Sequence, residues 1–244
     1  SLQPPQTPLK PHRSQLVTTV QEVSISPNES QQKNVADHER SVLLLAHGNR
    51  NNPTIFAAAS VVTNDGLLAS IHQPIRDEVF GIDTSGTYVA LESVGPDALY
   101  GIMFYRVRDG VFAPLDLETS DPTPGALLLE LSRSPQTLEA FVHQKNLTQY
   151  TPPTEANPDG WLRLARITTE EPTLPGSPLI TDDGSIAGIT AVSTGEQAIP
   201  VSYLKRSIER LSSGQRESNP FETVGLTITP SFAPRGDQSG IDFQ

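Results

Sequence analysis

From residue 41 onward, short apolar runs alternate with clusters of turn-forming residues, the pattern of many short β-strands. Runs at 41–46, 56–63, 67–71, 79–82, 88–94 and 101–107 read as strands. Asn64-Asp65-Gly66, Thr84-Ser85-Gly86 and Arg108-Asp109-Gly110 stand between them and supply residues that tolerate positive φ. A break at Asp121-Pro122-Thr123-Pro124 precedes a second series, 125–131, 138–142, 161–167, 178–180, 185–192 and 198–201, with Thr181-Asp182-Asp183-Gly184 as a further hairpin turn. Two sets of about six strands with almost no helix predict an all-β chain of two packed antiparallel barrels. The one strong helical pattern covers 202–211, where Leu204, Ile208 and Leu211 share a face and Gly214 supplies a stop. A last apolar run, 224–230, reads as another strand.

Residues 1–37 differ in kind. Rich in Pro, Gln, Ser and Asn, they bury too little apolar surface to offset ordering and read as a tether, with a short helix predicted over 28–40 behind Asn28 or Ser30 as cap. The 22 prolines suit turns between strands and disfavour a helical bundle. A net charge of −11 excludes a phosphate-tracking nucleic-acid binder, and the densest basic cluster is only Lys205, Arg206 and Arg210. With no cysteine there are no disulfides and no thiolate metal sites, and the redox compartment stays open. No apolar run reaches membrane-spanning length. The opening Ser-Leu-Gln-Pro-Pro-Gln reads as an internal boundary, so membrane association is expected only through an N-terminal anchor missing from this sequence.

The segment Gly176-Ser177-Pro178-Leu179-Ile180-Thr181-Asp182-Asp183-Gly184-Ser185-Ile186-Ala187-Gly188-Ile189 resembles the HtrA/Do-like branch of trypsin-like serine proteases. That family carries Gly-x-Ser-Gly-Gly/Ser-Pro-Leu around its nucleophile, followed by Asp-x-x-Gly-x-(Ile/Val)-x-Gly-Ile. Ala198-Ile199-Pro200-Val201 is similar to the family's entry into its final helix, and 59–68 to the strand pair leading to its histidine. Gly225-Leu226-Thr227-Ile228-Thr229-Pro230 resembles the first strand of a PDZ domain. The resemblance spans 40–230. It implies a trypsin-like double barrel over 38–213, barrel one at about 40–120 and barrel two at about 124–201, with 220–244 a linker and the start of a PDZ-like domain.

Carried across residue by residue, the resemblance places Pro175 at the nucleophile, Gln73 at the base and Gly101 at the orienting carboxylate. Proline has neither hydroxyl nor backbone N–H, so one residue removes the nucleophile and an oxyanion-hole donor together. The members of such a triad act as a unit, which makes the expected protein a pseudoprotease. Two fallback residues sit nearby: Ser177, two positions past the nucleophile site, and His72, one position before Gln73. Together they are the alternative reading, an unconventional serine protease.

The five histidines show no metal-ligand spacing, and neither metal nor cofactor is expected. Asp182-Asp183-Gly184 reads as turn chemistry, Asp97 as a turn cap, and Trp161 as a core residue. Asn28-Glu29-Ser30 and Asn146-Leu147-Thr148 are sequons only in a glycosylating host. In the family, substrate pairs with the strand after the nucleophile loop, here Ile189, Thr190, Ala191, Val192 and Ser193, and strand addition needs no triad. The expectation is therefore a peptide- or protein-binding or scaffolding module in the cell envelope, extracytoplasmic by family habit. Its partner would be a peptide or protein, such as a related active protease. The remaining reading is a structural homo-oligomerisation unit.

Overall fold

The computed structural model describes residues 36–75, 77–110, 112–151, 164–168, 173–191 and 196–213. Six strands close the first barrel in the order β1-β2-β3-β6-β5-β4: β1 Val42–His47, β2 Thr54–Val61, β3 Leu67–Ile71, β4 Val79–Ile82, β5 Tyr88–Asp97 and β6 Ile102–Val107. Six more close the second as β10-β11-β12-β9-β8-β7: β7 Leu127–Arg133, β8 Ala140–Tyr150, β9 Ala165–Ile167, β10 Pro178–Ile180, β11 Ile186–Thr190 and β12 Gln197–Pro200. Every strand-to-strand pairing in both barrels is antiparallel. The helix α1, Val201–Ser212, follows β12 directly. Among the described residues each of these strands has a paired neighbour on both sides. Among the described residues no helix is long and apolar enough to cross a membrane. Trp161, Gly214 and the run 224–230 lie outside the described residues.

Turn chemistry sets the hairpins. Gly66, at φ +77°, closes the β2–β3 connection, and the Thr63 hydroxyl accepts the Leu67 N–H at 3.1 Å. One strand is much longer than the predicted 138–142: β8 runs on through His143-Gln144-Lys145-Asn146-Leu147-Thr148-Gln149-Tyr150. That stretch is polar enough to read as loop, yet it keeps a period of two, with Lys145 and Leu147 buried between exposed neighbours. An inward lysine supplies one of the buried positions where an apolar residue is the usual choice.

The two barrels share a core. Leu43, Leu45 and Phe104 of the first, Leu131, Ile180 and Ile189 of the second, and Leu204 of α1 belong to one buried cluster. On the other side of β1, Leu44 and Ala46 pack with Phe80, Ile82 and, from barrel two, Leu138 and Leu174. Beta-strand β1 is thereby buried on both faces, which is why its sequence is a continuous apolar run with no alternation.

Arg133, fully buried at the end of β7, fastens this interface. Its Nε and Nη2 donate to the Leu138 carbonyl at 3.1 and 2.9 Å, Nη1 to Val42 and Ile82 at 3.5 and 2.9 Å, and Nη2 also to Asp83 at 2.7 Å. The guanidinium has five N–H donors, and all are spent on backbone carbonyls of both barrels. Burial pushes the Arg133 pKa down, while Asp83 and Glu39 hold the charge in place. Leu138 itself takes φ +63°, costly for a branched side chain, and the two bonds to its carbonyl hold it there.

Helix α1 is capped from a distance. Pro200 offers no side-chain cap, and Asp121, in the connection between barrels, accepts the Ser202 N–H at 2.9 Å and the Ser202 hydroxyl at 2.8 Å. Asp97 accepts the Ser207 hydroxyl at 2.6 Å and pairs with Arg210, whose guanidinium lies 4.7 Å from the Tyr100 ring centre. Besides capping Leu99 at 3.1 Å, as a turn aspartate would, Asp97 thus ties barrel one to the helix.

Arg133→Lys keeps a charge but cannot reach all four carbonyls, and Arg133→Met satisfies none. Both are expected to lower the unfolding free energy by roughly 3 kcal/mol or more. Denaturant unfolding measures this, and a change under about 1 kcal/mol would contradict the assigned role.

Candidate functional site

Pro175, Gln73 and Gly101, the positions that the resemblance assigns, are each bonded to or beside β2 and β3 of barrel one. The Ala58 N–H of β2 donates to the Pro175 carbonyl at 2.9 Å. Two residues back on the same strand, the Phe56 carbonyl receives the Gln73 amide at 3.4 Å. His72, just after β3, donates its backbone N–H to the Gly101 carbonyl at 2.8 Å. Gln73 carries an amide, Gly101 no side chain and Pro175 a pyrrolidine ring.

Residues 173–177 form a tight, internally bonded turn. The Leu174 carbonyl accepts the Ser177 N–H at 3.3 Å, the Ser177 hydroxyl at 2.8 Å and the Thr190 hydroxyl at 3.0 Å. Gly176 donates its N–H to the Thr190 carbonyl at 2.8 Å, and Thr190 returns its own N–H to Ser177 at 2.9 Å. Pro175 has no N–H. Across 175–177, then, every backbone donor that exists is occupied, whereas acyl transfer needs free donors aimed at the oxyanion. Gly176, at φ +85°, lies so close to β2 and β3 that a Cβ would sit 2.6 Å from Ser70 Oγ and closer still to the Ala58 carbonyl oxygen. Ser70 fills the same joint, donating to the Ala58 carbonyl at 2.5 Å.

Among the described residues neither Ser177 nor His72 has the partner that a nucleophile or base requires. The Ser177 hydroxyl is fully buried, 2.9 Å from Ser132 Oγ, and among the described residues no hydrogen bond joins it to His72. His72 is half-buried, its Nδ1 lacks a hydrogen-bond partner, and burial pushes its pKa down.

The predicted peptide-pairing strand is closed over its described part. Ile189 is paired on one side with Pro178 of β10 and on the other with Ile199 of β12. Thr190 is held by Gly176 and Ser177 on one flank and opposite Ala198 on the other, and Ala191 donates to the Gln197 carbonyl at 2.8 Å. All three residues are buried. An incoming strand finds no unpaired flank at Ile189 or Thr190. Val192 and Ser193 lie outside the described residues.

Beneath Thr173 is a pair of charges that the sequence reading overlooked. Glu130 of β7 and Lys145 of β8, 0% and 2% exposed, face the interior of barrel two with Nζ 3.2 Å from Oε2. The Thr173 hydroxyl lies beside the carboxylate without a well-aligned hydrogen bond. The only signal in the sequence is their register: Leu128 stands opposite Lys145 and belongs with Leu147, Leu179 and Ala198 to the apolar cluster of that interior. Among the described residues no three His, Asp or Glu side chains gather as a metal site would require.

The fold is the double antiparallel β-barrel of the trypsin-like class. No family model matches the sequence, and no curated protein matches it. Among solved structures, a serine endoprotease from Yersinia pestis superposes with a TM-score of 0.62 at 15% identity, covering 76% of this chain and 67% of that one. At that identity the likeness is one of fold.

Two measurements follow. Gly176→Ala is expected to cost about 2 kcal/mol or more, because positive φ and backbone contact both oppose a Cβ. A neutral result in denaturant unfolding would contradict the close approach. Burial raises the Glu130 pKa from its ordinary 4.5, against the opposing pull of Lys145 and Thr173. Folding therefore favours its protonated form: the contribution is full below the unfolded value and is lost as pH rises through the folded one. The stability of the wild type relative to Glu130→Gln is expected to fall as pH rises from about 4 toward neutral, and unfolding curves at each pH test the sign.

Proposed function

We propose that this domain does not cleave peptides and serves as a binding scaffold built on the trypsin fold. The observation that carries the reading is the state of 173–177: no hydroxyl at the nucleophile position, and no free N–H across 175–177. Ser177, the nearest hydroxyl, is spent on Leu174 and Ser132 inside barrel two. Restoring one catalytic group would leave the other two absent, so no single substitution rebuilds the reaction. Because Ile189 and Thr190 are paired on both flanks, partner capture by strand addition has no room there, and binding falls to other faces of the barrels.

Casein degradation and labelling by a fluorophosphonate test this directly. Wild type, Ser177→Ala and Pro175→Ser are all expected to show neither cleavage nor label. Wild-type activity that disappears in Ser177→Ala would overturn the proposal and mean that the loop opens around Ser177.

A further inference from the structure

We propose that helix α1 is a lever on barrel one: its docking on the turn between β5 and β6 sets how firmly Gly101 holds His72. Asp97 organises that turn with its backbone carbonyl, which accepts the Tyr100 and Gly101 N–H groups at 3.3 and 2.9 Å. Its Oδ1 accepts the Leu99 N–H at 3.1 Å. The other carboxylate oxygen, Oδ2, belongs to the helix, where it accepts the Ser207 hydroxyl at 2.6 Å and pairs with Arg210. One carboxylate thus serves the turn with one oxygen and the helix with the other, so moving it for either disturbs both.

Tyr100, buried in the same turn, doubles the joint. Its ring stacks on Tyr203 of α1 at 4.4 Å with 8° between the planes, and the Arg210 guanidinium lies over its other contact, 4.7 Å from the ring centre. Tyr203, Ser207 and Arg210 follow one another at spacings of four and three, which puts them on one stripe of the helix. The adjoining stripe of Leu204, Ile208 and Leu211 packs in the core, so the turn is met by a face of its own. At the far side of the turn, the Gly101 carbonyl accepts the His72 N–H at 2.8 Å. His72 opens the segment in which Gln73 reaches the Phe56 carbonyl at 3.4 Å and the Ile75 N–H returns to the Gln73 carbonyl at 2.8 Å. The path from α1 to His72 therefore runs through a single turn. One ion pair, one hydroxyl and one ring stack make the joint, few enough contacts for it to open while both barrels stay folded. A partner that draws α1 off the turn loosens positions 101 and 72 together, whether or not the domain cleaves peptides.

Amide hydrogen exchange on the whole chain tests the coupling, with the change made on the helix and the response read on barrel one. Ser207→Ala/Arg210→Met removes both helix partners of Asp97 and leaves the bonds within the turn in place. Exchange at Gly101 and His72 is expected to accelerate at least about fivefold, while Val62 and Leu115, bonded to the Leu67 and Val61 carbonyls, keep wild-type rates. Tyr203→Leu, which removes only the ring stack, is expected to accelerate the same two amides at least about twofold. Unchanged exchange at Gly101 and His72 overturns the proposal, even where amides of the helix itself accelerate. So does acceleration shared equally by Val62 and Leu115, which would mark a general loss of stability. Should the double variant fail to fold, Tyr203→Leu decides alone.

Discussion

The relative placement of the two barrels rests on the Arg133 guanidinium. A planar, permanently charged fork with five donors is the one side chain able to collect carbonyls from β1, β4 and the 134–138 turn at once. Burying it without a carboxylate in direct contact is expensive, and the cost is offset only because every donor is satisfied. Apolar packing supplies most of the attraction between the barrels but is tolerant of small slides, whereas five directional bonds are not. The left-handed Leu138 and the Leu138–Leu174 contact with β1 follow from that fixed geometry.

With the barrels fixed, the 173–177 turn is compressed between them. Ala58 and Ser70 press on it from barrel one, and Thr190 and Ser132 hold it from barrel two. Glycine at 176 permits an approach that no other residue could make. Proline at 175 is compatible because the position needs only a carbonyl, which it offers to Ala58. A segment that in a hydrolase must present groups to a substrate here spends them on its own barrels.

The strand pairings, the Asp97 and Asp121 ties to α1 and the shared core make no use of catalytic side chains. Those ties are the fold's own and are independent of which chemistry the surface carries.

Much of the architecture was legible in the sequence because it rests on local rules. Strands β3, β4 and β10 have the bounds that period and turn residues predict, and α1 differs by one residue at each end. Leu204, Ile208 and Leu211 do face the core. Tertiary structure decided the rest. Lys145, Glu130 and Arg133 are buried although their side chains are ordinarily solvated; Glu130 and Lys145 pair across β7 and β8, and Arg133 finds most of its carbonyls on barrel one. For the same reason β8 outran its predicted end, Ser177 became an internal strut, and Ile189 and Thr190 lost the free edge expected of them. Periodicity and turn propensity are properties of neighbours along the chain. Which polar group is satisfied by which carbonyl or carboxylate across two barrels is a property of closure, and closure has no local signature.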